Sequence, residues 1–108
     1  MASWLPKALT RIRELAAARK VLFTLKVRRE LASLELGLDE EDACDVLANL
    51  TAGEAVGRLE SVTTGEWMYL FKPLLAGTVL YVKLILRNDC IVVSFHEDEG
   101  GGHEEEDA

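Results

Sequence analysis

Tyr81, Lys83, Arg87 and His96 are spaced through an otherwise aliphatic stretch, LYVKLILRNDCIVVSFHED, at residues 80–98. These side-chain types suit chemistry on a phosphodiester. Lys and Arg stabilise the charge that builds on phosphate in a transition state. Histidine titrates near neutrality and serves as general acid or base. In RNA the 2′-hydroxyl is an internal nucleophile, so such chemistry requires no metal. A tyrosine can stack on a base or orient a proton. The same composition also fits a solvated sheet face with a lone histidine near its end, so placement has to decide.

Asn88 and Asp89 separate two alternating runs. Both tolerate positive φ, which favours a tight two-residue hairpin. Counting outward from that turn pairs Arg87 with Cys90, Leu86 with Ile91, Leu84 with Val93 and Val82 with Phe95. The last six of these residues are apolar and form a core-facing surface. The opposite face carries Arg87 with Cys90, Ile85 with Val92, Lys83 with Ser94, and Tyr81 with His96. Directly opposed residues have Cβ atoms roughly 5 Å apart, which puts Tyr81 against His96. A preceding strand over residues 67–72 joins through the Leu74–Gly77 connection. It sets Trp67, Tyr69 and Phe71 on the core side, and Met68, Leu70 and Lys72 on the Tyr81 face.

Upstream, the hydrophobic period is helical. Leu5, Leu9, Ile12 and Leu15 make one apolar stripe, predicting a helix over residues 5–18 with Pro6 in its first turn. Residues 21–25 have strand-like composition. A second helix follows over 26–36, stopped by Gly37. Asp39 caps a third, with Glu40, Glu41 and Asp42 at the positive end of its dipole. The capping box Thr51-Ala-Gly-Glu54 opens a fourth, short helix ending near residues 58–61. The period then changes to two, and strands are expected at 67–72, 79–87 and 91–96. The expected fold is α+β: N-terminal helices packed on a three-stranded antiparallel sheet, as one domain over residues 1–98.

The bulk properties narrow the class. A chain of 108 residues, 49% apolar, fits one globular domain. No apolar run approaches the roughly 20 residues of a membrane span, and the amphipathic start lacks the apolar region of a secretory signal. Cys44 and Cys90 are far apart and have no CxxC spacing, so two buried free thiols in a reducing cytoplasm are expected, with no metal site. The net charge of −7 hides a polarised chain. Residues 1–29 carry eight Lys/Arg against Glu14 alone, while residues 97–108 carry seven acids and no Lys/Arg. The Gly-rich acidic end, residues 99–108, reads as a disordered tail, either inert or screening the basic face beside His96. Lys7, Arg11 and Arg13 are either the solvated side of the first helix or RNA-backbone contacts.

ELGLDEEDACDVLANLT, followed by GEWMYLFKPLLAGTVLYVKLILRNDCIVVSFHEDE, resembles the MqsR family of toxins. The most telling parts are G-L-D with a helical C-D-V-L, the Trp before a strand that ends in Pro73, Y-V-K and V-S-F. The resemblance implies a RelE-like fold and a messenger-RNA-cleaving ribonuclease of a type II toxin–antitoxin system. It further implies mRNA as substrate, a cognate antitoxin as partner, a cytoplasmic location and no cofactor. The family's strand tyrosine falls on Tyr81, with Lys83 two residues later, and its basic residue after V-S-F falls on His96. Its lysine at the end of the short helix falls near Gly57 and Arg58. Its glutamine after the tryptophan falls on Met68, which cannot make the same hydrogen bonds. The implied catalytic set is His96, Tyr81, Lys83 and Arg58, with Arg87, Lys72 and Met68 in contact with RNA. The alternative is a non-catalytic RNA- or protein-binding module of the same fold.

Overall fold

The computed structural model describes residues 2–99. Helix α1 (Leu5–Ala17) begins at Leu5-Pro6, where the fixed φ of proline suits a first turn, and buries Leu5, Leu9, Ile12 and Leu15. Arg19 then reverses the chain with φ 60°, and its guanidinium reaches Glu41 and Asp45 at 2.9 and 2.8 Å. Strand β1 (Val21–Phe23) runs into α2 (Leu25–Ser33), whose N-cap Thr24 accepts from the Val27 N–H. The predicted second helix extended to residue 36. The observed one stops earlier, and Glu35 and Gly37 both take positive φ in the connection. Helix α3 (Glu40–Ala48) opens on a reciprocal capping box between Asp39 and Asp42.

The fourth helix of the sequence reading is corrected. The Thr51/Glu54 capping box does form, but it closes only one 3₁₀ turn, Ala52–Glu54. The chain then becomes strand β2 (Ala55–Glu60). Val56 and Gly57 both disfavour a helix interior, and β3 offers β2 an open edge to pair with. β3 (Trp67–Phe71), β4 (Leu74–Leu75), β5 (Thr78–Leu86) and β6 (Cys90–Glu97) follow. A two-residue turn with positive φ at both Ala76 and Gly77 joins β4 to β5.

The sheet is also larger than the expected three-stranded antiparallel one. Its order is β1-β6-β5-β3-β2, with β4 paired to the start of β5. β1 lies parallel to β6 and the other pairings are antiparallel, so the sheet is mixed. A three-residue apolar run such as Val21–Phe23 has strand-like composition but is too short to reveal its partner by periodicity.

The helices cover one face. Ile12, Val27, Ala43 and Leu47 pack there against Phe71, Val82, Leu84, Cys90, Val92 and Phe95, all with 0% exposure. Burial also pushes the Cys90 thiol up to about 12 and raises Cys44, so both remain protonated and serve as small apolar residues. Leu47→Ala should cost about 2–5 kcal/mol by leaving a cavity between α3 and the sheet. Val62→Ser, at a side chain 93% exposed, should leave the denaturant midpoint unchanged in the same titration.

A candidate active site on the sheet face opposite the helices

The β5–β6 hairpin is not built as the two-residue turn predicts. Leu86 pairs with Cys90, leaving Arg87, Asn88 and Asp89 as a three-residue loop closed by the Arg87 N–H on the Asp89 carbonyl at 3.0 Å. Leu84 then pairs with Val92, whereas Lys83 pairs with Ser94, so Val93 is an extra residue in a β-bulge. The longer loop moves the register by one residue and the bulge moves it back. Tyr81 therefore does oppose His96, and Lys83 does oppose Ser94, as counting predicted. Closer to the turn the counted pairs are wrong. Cys90 and Val92 enter the core, while Ile91 and Val93 are only half-buried.

The bulge decides where His96 points. In a regular strand Cys90, Val92, Ser94 and His96 would share a face. With Val93 inserted, Ser94 and His96 turn to the face away from the helices, and Phe95 takes the core position. Helix α2 holds this local geometry from the side. Lys26 Nζ donates to the Val93 carbonyl and to Ser94 Oγ, both at 3.1 Å. Glu30 accepts the Phe95 N–H at 2.9 Å and pairs with Lys26 at 3.0 Å. β1 reaches only as far as Val92 along this edge, so these two side chains take over where strand pairing ends. Neither residue was singled out from the sequence. Their i,i+4 spacing on one helix was visible, but their target, 65 to 68 residues away, was not.

On the resulting face, the Tyr81 and His96 rings stack with centroids 5.2 Å apart and planes 12° from parallel. His96 Nδ1 lies 2.9 Å from the Glu97 carbonyl. A carbonyl only accepts, so Nδ1 carries the proton and a neutral imidazole presents its lone pair at Nε2. Lys83 Nζ sits 5.9 Å from the Tyr81 ring centroid. Lys83, Tyr81 and Ser94 are 1%, 2% and 0% exposed, while His96 is half-exposed. Ser94, which sequence reasoning paired with Lys83 but gave no role, is therefore a polar member of the cluster. Lys72 lies in the row beside Tyr81, and its ammonium is 3.3 Å from Asp98. Met68 and Leu70 are nearly buried on this same face, opposite Ile85 and Lys83.

Two expected members lie elsewhere. Arg58 pairs with Tyr69, which pairs with Leu84, so all three project to the helix side of the sheet. There the guanidinium is stacked 3.8 Å from the Trp67 ring centroid and 5.2 Å from that of Trp4. It is thus separated from His96 by the thickness of the sheet, because β2 is a strand with alternating faces and not the end of a helix. Trp67, expected as packing, is instead 40% exposed beside this guanidinium. Arg87 sits in the hairpin loop and not opposite Cys90, and it clamps Glu66 through two contacts of 2.7 and 2.8 Å. Along β5 it lies roughly 20 Å from Tyr81.

Among the described residues no group of three or more His, Cys, Asp or Glu could hold a metal ion. No helix there is long and apolar enough to cross a membrane.

Fold and site together define a small α+β protein with a mixed sheet and a stacked Tyr–His pair beside a buried lysine on the sheet face opposite its helices. The chain belongs to the MqsR toxin family: the family model described as "Motility quorum-sensing regulator, toxin of MqsA" matches residues 6–97. No curated relative matches it.

Glu30→Ala should cost about 1–3 kcal/mol by leaving the Phe95 N–H without its charged acceptor, whereas Glu30→Gln should recover part of this. The His96 ring protons, shifted upfield by the Tyr81 ring in the wild type, should move toward free-histidine values in the Ala variant. Arg87 holds the Glu66 carboxyl at about 2, against an ordinary value of 4.5. A depressed folded-state value stabilises above the unfolded value, and that contribution disappears as pH falls from 4.5 toward 2. Glu66→Gln should therefore flatten the acid-unfolding curve in that window and leave the low-pH end of the curve unchanged.

Proposed function

We propose that the chain is a metal-independent endoribonuclease that cleaves mRNA by attack of the 2′-hydroxyl on the adjacent phosphate. The stacked Tyr81–His96 pair beside Lys83 is the observation that carries this reading. His96 Nε2 removes the 2′-hydroxyl proton, the 2′-oxygen bonds to phosphorus, and the bond to the 5′-oxygen breaks. Tyr81 handles the proton needed by the departing 5′-oxygen. Lys83 opposes the negative charge gathered on the phosphate oxygens. The products are a 2′,3′-cyclic phosphate and a 5′-hydroxyl. Lys72 supplies RNA contact at the rim, and Met68 offers an apolar surface where the family carries a glutamine. Arg58 has no part in this mechanism, since it projects from the other face. A cytoplasmic location, an mRNA substrate and a cognate antitoxin as partner complete the reading.

A second reading is favoured by one specific observation. Tyr81 and Lys83 are almost fully buried and Met68 brings no hydrogen-bonding group. These features suit a face that binds RNA or a protein without cleaving it.

RNA incubated with purified protein in EDTA separates the two. Cleavage with cyclic-phosphate ends is expected for the wild type. A loss of about a hundredfold or more is expected for His96→Ala, in line with removal of a general acid–base group, and a smaller loss for Tyr81→Phe. Equal cleavage by wild type and His96→Ala would remove His96 from the mechanism. RNA binding with no cleavage, together with no growth arrest when the chain is expressed alone, would establish the binding module instead.

A further inference from the structure

A groove of about 750 Å³ opens on the opposite side of the molecule from Tyr81 and His96, between α1 and the uncovered part of the helix-side sheet face. That volume lies within the about 300–1,000 Å³ range of small-ligand clefts. Its floor includes Trp4, Tyr69 and Leu86, and its rim includes Lys7, Thr10 and Arg11. The Trp4 and Tyr69 rings lie 5.4 Å apart at 43°, and Arg58, wedged between Trp4 and Trp67, braces the Trp4 ring from another side. This is an aromatic surface held in place.

Arg13 donates to the Leu50 carbonyl, and Arg19, Lys26 and Arg28 all pair with carboxylates. Lys7 and Arg11 form no ion pair among the described residues. Their i,i+4 spacing puts them side by side along the groove. Among the described residues, Glu14 is the one acid that lines it.

We infer that this groove is a second binding site for single-stranded RNA, in which a base stacks on the Trp4/Tyr69 floor and the backbone phosphates meet Lys7 and Arg11. Aromatic stacking with flanking cations is how single strands are held with little sequence preference. The site rests on the reading of the protein as RNA-directed and adds to it a docking surface remote from cleavage. Leu86 lies five residues along β5 from Tyr81, roughly 17 Å. A long strand can therefore pass from the Tyr81–His96 face over the Arg87 loop into the groove, whereas a dinucleotide can occupy only one of the two sites.

The test uses full-length His96→Ala protein, so that RNA survives, and poly(U) as probe over a salt titration. Lys7→Gln with Arg11→Gln, both at exposed positions, should make the slope of log affinity against log salt shallower by about 1.4, two phosphate contacts at roughly 0.7 each. Trp4→Leu should weaken poly(U) binding about fivefold to a hundredfold through lost stacking. An unchanged slope and affinity in the double variant would overturn the groove as an RNA site, and the cleavage reading would stand. An unchanged slope with loss of antitoxin binding in the double variant would overturn it in favour of a protein interface. If the wild-type chain cleaves no RNA while the salt effect is seen, the cleavage reading fails and the groove remains.

Discussion

The clamp of Lys26 and Glu30 on β6 is the interaction on which the polar face depends. One residue is added to the strand at Val93, and two α2 side chains bind the strand's backbone on either side of it, beyond the point where β1 pairing ends. The carboxylate of Glu30 takes the Phe95 N–H and the ammonium of Lys26 takes the Val93 carbonyl. Both contacts are charge-assisted, and the two side chains also neutralise each other. Without the added residue, the alternation of the strand would direct His96 toward the helices. The core and the site thus share one strand only because its phase is broken between Val92 and Ser94.

The charge asymmetry of the sequence has a partly structural explanation. Acids clustered at the start of α3 first serve the helix, through the Asp39/Asp42 box, and then receive Arg19 and Arg28 from the basic N-terminal segment. These are exposed pairs, each of small energetic weight. Their main effect is on distribution, since they leave positive charge along one side of α1. The burial of Lys83 is different in kind. A lysine at 1% exposure beside an aromatic ring and a serine is costly to desolvate.

Much of this was legible in the sequence, although unevenly. The helical stripe of α1, the Asp39 cap, the Thr51/Glu54 capping box, the α+β order and the two-sided split of β3 follow from local spacing, and local spacing is what the structure uses there. The Tyr81–His96 pair was also legible, but through two compensating errors: a loop one residue longer than expected and a bulge that restores the count. No local pattern signals that bulge, because its cause sits on α2. Arg58 was misplaced for a related reason. A capping box marks the beginning of a helix but not its length, and the strand that follows has a different periodicity. The parallel pairing of β1 was not legible because a three-residue strand carries too little pattern to choose a neighbour.

That parallel pairing has a consequence for how the molecule is made. Val21 meets Cys90 and Phe23 meets Val92, so the chain closes on itself across most of its length. Contacts of such high sequence separation form late, after their loop-closure entropy has been met. During synthesis the helices and the β2–β5 portion can collapse first, but β1 and the α2 clamp have no counterpart until β6 emerges. His96 lies on that strand and takes its position only when the clamp engages. The nascent chain is therefore without its assembled Tyr–His pair for most of its translation, and the Tyr81–His96 face comes into being as a late step of folding.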